Sequence, residues 1–492
     1  MTTLQEIISN SSSLTRDELK ADRALVIEIQ NKLANLGFYP GGGWIDGVLG
    51  GLTSFSWKGL IDFCTRVGSV SIPSDNVAIN PDIAQKLLDT KQVESILSDA
   101  ANTPLILNKL KEIQPKSLIV NRNTPASAFV ARTIDKSPFQ KFINDYPTYL
   151  EQKPDGTSII SYGDSFTLST GVTVNFSDYP IRGNKPNIDN TGLNFLSSNI
   201  SHACVCIGSF TDSSSPIKAH WLGKKSSDSV NFWWSTTKFV GVLNTVCKIN
   251  SNSPDTDVDN CIIISPRNRF KDLVEDMVSY QGKSSNAIGA LFKRFSKQED
   301  LNDWIKEQTG NTTVDLRSFY GEDPLISPAT IQDTTIQDPT RKNVLSSTSK
   351  GAATNTNSIS AYDLVRLISM LGWHQHLPVT AQLSSAQWTS LESVVRAMGR
   401  DTARYVDVAL ETLGVVNVIS EPVIISKVGW GDSSMTYAAL VKFIDHRTTP
   451  SKLRTFALAL RCPTPASSDE RDTNLAAAVT EIVRQIITEE LA

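Results

Sequence analysis

Ser235 and Lys238 are the pair in this chain whose types and spacing most clearly permit catalysis. They bracket a Ser-Thr-Thr-Lys quartet, and an apolar segment with helical spacing follows from Phe239 to Val246. Residues three apart share one face of a helix, so we expect the Lys238 amine beside the Ser235 hydroxyl. A serine hydroxyl needs a neighbouring base to act as a nucleophile, and a lysine desolvated among apolar groups can lose its proton and take that role. Free backbone N–H groups at the helix start would receive a developing oxyanion.

Two other pairs have the same spacing but a different context. Ser215 and Lys218 enclose Pro216, and Ser347 and Lys350 lie in a polar run with no apolar helix behind it. A short motif is only a hypothesis until its structural context agrees. The context therefore favours Ser235.

The composition excludes several function classes. The chain has 492 residues, of which 40% are hydrophobic and 20% charged, and a net charge of -4. This size predicts two or three domains with ample core. The slightly acidic balance argues against nucleic acid as a partner, and no apolar run reaches the roughly 20 residues of a membrane span. The first residues have neither a basic start nor an apolar core, so we expect no secretory signal, and the sequence leaves the localisation open.

The cysteines and histidines do not predict a metal site or a cofactor. The six cysteines are sparse and mostly in apolar surroundings, where they usually behave as small buried hydrophobes. Cys247 and Cys261 flank a short polar loop, so a disulfide between them stays an alternative. His374 and His376 form the closest histidine pair, without acidic or cysteine partners nearby. We expect no metal and no cofactor.

The first part of the chain, residues 1–113, is expected to be a helical domain. A helical pattern runs from Val26 to Leu36, and a glycine-rich turn and a second helix follow it. This part resembles the small peptidoglycan-binding domain, a three-helix module. The likeness is carried by three segments, Ile29–Leu33, Leu36–Tyr39 and Ile45–Gly50. One departure is Cys64 after Phe63, where that family usually has glutamine. The alternative is an ordinary small helical bundle.

The rest of the chain follows a different plan. Residues 114–189 have several proline and polar breaks and are expected to form a linker with a small β-unit near 157–176. Residues 190–492 begin with a strand, continue with helices, and end with two or three late strands and an amphipathic helix. This order predicts an α/β (α+β) fold with an antiparallel sheet and a helical subdomain.

Residues 190–492 resemble the penicillin-recognising serine hydrolases, which include class A β-lactamases and D-alanyl-D-alanine peptidases. That family carries Ser-x-x-Lys, then Ser-x-Asn, then Lys-[Ser/Thr]-Gly. The matching segments here occur in the same order, and each lies on the expected element: Ser235–Lys238, Ser284–Asn286 and Lys427–Gly429. The resemblance implies a β-lactamase/transpeptidase-like domain.

The resemblance also implies a role for each motif residue. Ser235 would attack a carbonyl carbon, and Lys238 would accept its proton. Ser284, hydrogen-bonded between Lys238 and Lys427, would pass a proton to the leaving nitrogen. Asn286 would hold Lys238 and the amide oxygen of the substrate.

The third motif and the residue after it would form part of the substrate-binding edge. Backbone N–H groups of Ser235 and Trp430, which follows Gly429, would form the oxyanion hole. Val428 stands where the family has serine or threonine, so a hydroxyl that usually binds the substrate carboxylate is missing. Either another hydroxyl such as Ser433, Ser434 or Thr436 replaces it, or the substrate lacks a free carboxylate there, in which case the sequence predicts weak recognition of penicillins and of free D-Ala-D-Ala ends. Glu322 falls at a spacing comparable to that of the deacylation base of class A β-lactamases, although the flanking sequence differs.

These resemblances imply a serine acyl-enzyme hydrolase that acts on peptidoglycan peptides or on related amides or esters. A β-lactamase proper is the first alternative. The second alternative is a catalytically idle or repurposed binding protein on the same fold, and the third is an esterase or amidase for a small molecule. The expected partner is peptidoglycan or a peptide or β-lactam-like small substrate, with neither nucleic acid nor a membrane span.

Overall fold

A computed structural model describes most of the chain in two parts separated by residues 90–133. The described residues are 2–36, 38–39, 47–50, 55–67, 70–89, 134–264, 267–280, 285–296, 298–316, 329–339, 341–347, 357–431, 433–463 and 468–491.

The first part, residues 2–89, is helical and has its own apolar core. Its helices in the described residues are α1 (Leu4–Ser9), α2 (Arg16–Ala21), α3 (Arg23–Asn35), α4 (Phe55–Val67) and α5 (Pro81–Leu88). Threonine side chains cap the first two helices, and Asn80 caps the fifth with a proline in its first turn. Aromatic rings of Phe38 and Phe63 meet edge to face in the core at 5.4 Å.

One buried glutamine connects the elements of this small domain. The Gln30 amide donates to the Tyr39 hydroxyl at 3.1 Å and to Ser56 Oγ at 2.9 Å, and its carbonyl oxygen accepts from the Gly47 backbone N–H at 2.9 Å. A fully buried amide is stable only when its donors and acceptor are satisfied. Gln30 therefore ties α3 to the following turn and to α4. Gly37, residues 40–46 and residues 51–54 of the predicted module lie outside the described residues.

The second part begins at Ile134 and is built on a large antiparallel sheet. Its strands run in the order β14 (Ile419–Gly431), β15 (Ser434–Asp445), β16 (Ser451–Cys462), β5 (His202–Ser209), β6 (Lys218–Lys224) and β4 (Ser177–Asp178). The short β1 (Ile159–Ile160) pairs with β16 in parallel. Strand β14 forms one edge of the sheet, and Gly429 faces Thr436 across the ladder to β15.

The two faces of this sheet form two cores. Alternate residues of β5 divide between them, since Cys204 and Cys206 lie in one core and Ala203 and Val205 in the other. The first core packs against helices α7 (Lys238–Asn252) and α11 (Ala361–Gly372), and the second against α13 (Tyr405–Thr412) and α14 (Ser468–Ile487). We call them the α7 core and the α14 core.

A helical subdomain and smaller sheets adjoin the α7 core. Its helices are α6 (Tyr146–Glu151), α8 (Phe270–Ser279), α9 (Ser285–Arg294), α10 (Gln298–Thr309) and α12 (Trp388–Met398). Further strands are β2 (Ser165–Thr167), β3 (Thr173–Asn175), β7 (Asn231–Phe232), β8 (Cys261–Ile264), β9 (Asn268–Arg269), β10 (Asp315–Leu316), β11 (Thr330–Asp333), β12 (Asn343–Ser346) and β13 (Asn357–Ile359). The predicted combination of helices with an antiparallel sheet is confirmed.

Two expectations from the sequence differ from this arrangement. From Ile134 onward, the segment expected to be a linker packs into the large cores, with Tyr146 and Leu150 fully buried in the α7 core. Cys247 and Cys261 are both free and buried, so the alternative of a disulfide between them is wrong for this structure. Among the described residues, no helix combines the length and the apolar character needed to cross a bilayer.

Candidate active site

Ser235 lies in a tight turn that leads into α7. The turn Trp234–Thr237 is a 3-10 helix, and the α-helix starts only at Lys238. The sequence predicted a helix from about Ser235. The structure has a helix there, but its first turn is a 3-10 helix and therefore tighter than expected. Ser235 is half-buried, whereas the residues of α7 that follow are almost all buried. The hydroxyl-bearing turn is therefore held at the surface end of a rigid core helix.

The residue before Ser235 has a strained backbone. Trp234 has φ of +45°, in the left-handed region that side chains other than glycine rarely occupy. Such a conformation costs about 1–3 kcal/mol and persists only where the surroundings enforce it. Here the Trp234 ring lies directly against Gly431, and its Nε1–H donates to Ser434 Oγ at 2.9 Å. The Phe232 ring meets it edge to face at 4.5 Å.

The edge strand β14 lies unusually close to this turn. A Cβ on Gly429 would lie 2.3 Å from Thr436 Oγ1 and 2.7 Å from both Thr236 Oγ1 and the Trp233 carbonyl oxygen. The Thr436 hydroxyl is 2.8 Å from that of Thr236 and donates to the Trp233 carbonyl oxygen at 2.9 Å. Only glycine at position 429 allows this approach. The Ser235 turn is thereby bound to the β14–β15 pair.

Lys238 is buried and hydrogen-bonded to the first turn of α9. Its side chain is 1% exposed, and Nζ donates to Ser285 Oγ at 3.0 Å and to Asn286 Oδ1 at 2.5 Å. Ser285 in turn donates to the Met277 carbonyl oxygen of α8 at 2.6 Å. The structure brings Asn286 to Lys238, the residue that the resemblance implied it would hold, while Ser285 was not among the predicted residues. Ser284, the predicted proton carrier, lies outside the described residues.

Lys427 reaches the same region from β14. Its Nζ donates to the Tyr280 hydroxyl at 2.7 Å and to the Val428 carbonyl oxygen at 3.0 Å. The Tyr280 ring centre is 4.2 Å from Lys427 Nζ and 5.9 Å from Lys238 Nζ. Both lysines predicted from the motifs therefore lie beside one aromatic ring. No sequence argument identified Tyr280, although it stands four residues before the Ser-x-Asn segment.

Val428 and its neighbours on β14 alternate between the two faces of the sheet. The Val428 side chain is fully buried in the α14 core, together with Ile424 and Tyr437, while Trp430 is half-buried against that core. The role of Val428 in substrate recognition stays a prediction. Of the hydroxyls expected as replacements, Ser434 accepts from Trp234 and Thr436 donates to the Trp233 carbonyl oxygen, so both contact the Ser235 turn.

A buried carboxyl group lies next to Lys427 on the other side of the strand. Asp401 is fully buried and accepts a hydrogen bond from Ser426 Oγ at 2.8 Å. Burial raises the pKa of the Asp401 carboxyl, and the charge of Lys427 partly offsets that rise. The network fixes the backbone of β14 immediately before Lys427.

A second buried lysine lies on the same helix as Asn286. Lys293 is seven residues further along α9, on the same helical face, and its Nζ donates to Asn357 Oδ1 at 2.5 Å. Burial lowers the pKa of Lys293 to about 7.

Glu322, predicted as a deacylation base, lies in the segment 317–328 outside the described residues, so its role stays a prediction. Within the described residues, no group of three His, Cys, Asp or Glu side chains is placed to hold a metal ion.

Comparisons with known proteins find similarity in structure only. No protein-family model matches the sequence, and no curated protein is similar to it. Among solved structures, a class A β-lactamase from Mycobacterium abscessus is 12% identical, with a TM-score of 0.38 over 60% of this chain and 98% of that chain. The chromosome-encoded β-lactamase of Vibrio parahaemolyticus is 10% identical, with a TM-score of 0.36 over 58% of this chain and 94% of that chain. PBP-A is 11% identical, with a TM-score of 0.38 over 61% of this chain and 97% of that chain.

Proposed function

We propose that the protein is a serine acyl-enzyme hydrolase in which Ser235 is the nucleophile and Lys238 its base. The observation that carries the proposal is the environment of Lys238. Its amine is buried, lies one helical turn from Ser235, and is held by Ser285 and Asn286. An amine held this close to the serine by fixed partners is placed to accept the hydroxyl proton.

The reaction would proceed in two steps. Ser235 Oγ attacks the carbonyl carbon of an amide or ester while its proton passes to Lys238 Nζ, and collapse of the tetrahedral intermediate expels the amine or alcohol. Water then hydrolyses the acyl-enzyme. The backbone N–H groups of Ser235 and Trp430 are our candidates for the oxyanion hole, where loss of one donor costs about 3 kcal/mol of barrier. The close packing of β14 on the turn, through Gly429, supports this pairing.

The proposed substrates are peptidoglycan peptides or related neutral amides and esters. The hydroxyls of Ser434 and Thr436 are used to hold the turn, and position 428 is a buried valine. Thr436 uses its hydroxyl hydrogen on the Trp233 carbonyl oxygen and Val428 has no hydroxyl, so neither supplies a donor to a substrate carboxylate, whereas Ser434 only accepts from Trp234 and keeps its own hydrogen. Bonds inside a peptide or ester chain, which carry no such carboxylate beside the scissile carbonyl, therefore suit the site better than penicillins.

Intact-mass spectrometry after incubation with a fluorophosphonate and with a penicillin tests the nucleophile. The parent should gain one adduct from the fluorophosphonate and a slower one from the penicillin, and Ser235→Ala should gain neither. Ser215→Ala is the matched control, because Ser215 has the same spacing to a lysine and is also half-buried, but its hydroxyl donates to Asp212. An adduct that persists in Ser235→Ala, or is lost in Ser215→Ala, would contradict the assignment.

We also propose that residues 1–113 bind peptidoglycan. The Gln30 network, which joins α3 to Tyr39, Gly47 and Ser56, supports a defined module rather than a loose helical pair. The full chain should sediment with insoluble peptidoglycan, and a chain that begins at residue 114 should stay in the supernatant. Equal sedimentation of the two chains would contradict the proposal.

A further inference from the structure

Tyr280 occupies a constrained position between the two site lysines. It is the residue that ends α8, and its φ of +57° is left-handed. A tyrosine in this region is strained, and such strain accumulates at functional sites. The side chain is half-buried, and its hydroxyl lies 2.7 Å from Lys427 Nζ.

The direction of this hydrogen bond fixes what the hydroxyl can do next. An ammonium group has donors but no acceptor, so Lys427 donates and the Tyr280 oxygen accepts. The single phenolic hydrogen cannot be used on Lys427 and is available to another acceptor. Lys238, the base that has just taken the serine proton, lies 5.9 Å from the centre of the same ring.

We propose that the Tyr280 hydroxyl donates the proton to the leaving group of the substrate, an inference that rests on the proposed function. When the tetrahedral intermediate collapses, the bond from the carbonyl carbon to the leaving nitrogen or oxygen breaks. The phenolic proton moves to that atom, and Tyr280 is left as a phenolate. The phenolate takes a proton back from the Lys238 ammonium, which returns to the neutral base. The net transfer is the proton of Ser235 to the leaving group.

The positive charge of Lys427 stabilises the transient phenolate. This charge is 2.7 Å from the phenolic oxygen and 4.2 Å from the ring centre, so it stabilises negative charge on this side chain. Hydrogen bonds become shorter and stronger when one partner is ionised. The contact therefore strengthens in the step in which the proton leaves.

The test compares Tyr280→Phe with the parent on two esters that share one acyl group. One ester has a weakly basic nitrophenol leaving group, which departs without a proton, and the other has a simple alcohol, which requires one. Phenylalanine keeps the ring beside both lysines and removes only the hydroxyl. General acid catalysis contributes about 10²–10⁴-fold, so acylation by the alkyl ester should slow by that factor, while acylation by the nitrophenyl ester changes by less than about threefold. Tyr149→Phe, also half-buried but on α6, is the control and should leave both rates unchanged.

Each other outcome has a definite meaning. Equal losses on the two esters would show that Tyr280 only positions Lys427 and would overturn the inference alone. A leaving-group-selective loss in Ser284→Ala and none in Tyr280→Phe would assign proton donation to Ser284 and also overturn it. If the parent shows no Ser235-dependent hydrolysis of either ester, the proposed function fails and the inference fails with it.

Discussion

Replacing Gly429 by alanine should inactivate the site by moving the nucleophile turn. The added Cβ would lie 2.3 Å from Thr436 Oγ1 and 2.7 Å from the Trp233 carbonyl oxygen, whereas ordinary contact begins at 3.4 Å. One of these groups has to give way by about 1 Å, and a misplacement of about 1 Å at a reacting group can cost about 100-fold in rate. The same overpacking should lower the free energy of unfolding by about 1–3 kcal/mol.

The assay is the second-order rate of Ser235 labelling by a fluorophosphonate, measured beside thermal unfolding. Gly241→Ala is the matched control, because Gly241 lies in α7 three residues after Lys238 and an added Cβ would meet only Lys293 and Phe292 at 3.6 Å or more. That change should keep the labelling rate and stabilise the helix by up to about 1 kcal/mol. A parental labelling rate in Gly429→Ala would refute the idea that the approach of β14 positions the nucleophile.

Three further predictions concern other parts of the large domain. Lys238→Arg should fold normally and acylate at least about 100-fold more slowly, since a guanidinium stays protonated; labelling at the parental rate would remove Lys238 from the role of base. Val428→Thr should lower the free energy of unfolding by about 1–3 kcal/mol, because its hydroxyl enters the α14 core; faster acylation by penicillin would show instead that this hydroxyl reaches the substrate. Burial lowers the pKa of His374 and of His376 to about 4, so the unfolded chain alone takes up these protons between about pH 6.5 and 4. The free energy of unfolding should therefore decrease as the pH falls through that window, by up to about 1.4 kcal/mol per pH unit for each histidine. Urea unfolding of His376→Gln at several pH values should show a change of this free energy with pH that is smaller by that amount.

The sequence predicted what local patterns determine. The Ser235 helix, the Ser-x-Asn helix and the Lys427 strand follow from apolar periodicity and motif order. The structure places Lys238 against Asn286, and both Lys238 and Lys427 beside the Tyr280 ring, whereas the resemblance implied Ser284 between the two lysines.

What could not be predicted depends on contacts between distant segments. The contact of Ser285 with Lys238 depends on how α9 is rotated against α7, and a serine in the sequence gives no signal for that rotation. Tyr280 itself adopts the left-handed conformation that ends α8. Glycine or asparagine is usual at such a position, so the sequence does not predict the turn there. The packing of the segment from Ile134 into the α7 core depends on strands nearly 300 residues later in the chain.

The way the nucleophile turn is held also limits what the site can recognise. The left-handed Trp234 is unfavourable by itself, and the contacts that enforce it come from β14 and β15: its ring on Gly431, and its indole N–H on Ser434. Thr436 adds a bond to the carbonyl oxygen of the residue before. The Thr436 hydrogen used in this bond is not available to a substrate carboxylate without loosening the turn, whereas Ser434 only accepts and keeps its own hydrogen. In the proposed function the same hairpin positions Ser235 and binds the substrate, so Thr436 cannot serve both the turn and a carboxylate, and we expect neutral substrates to be preferred.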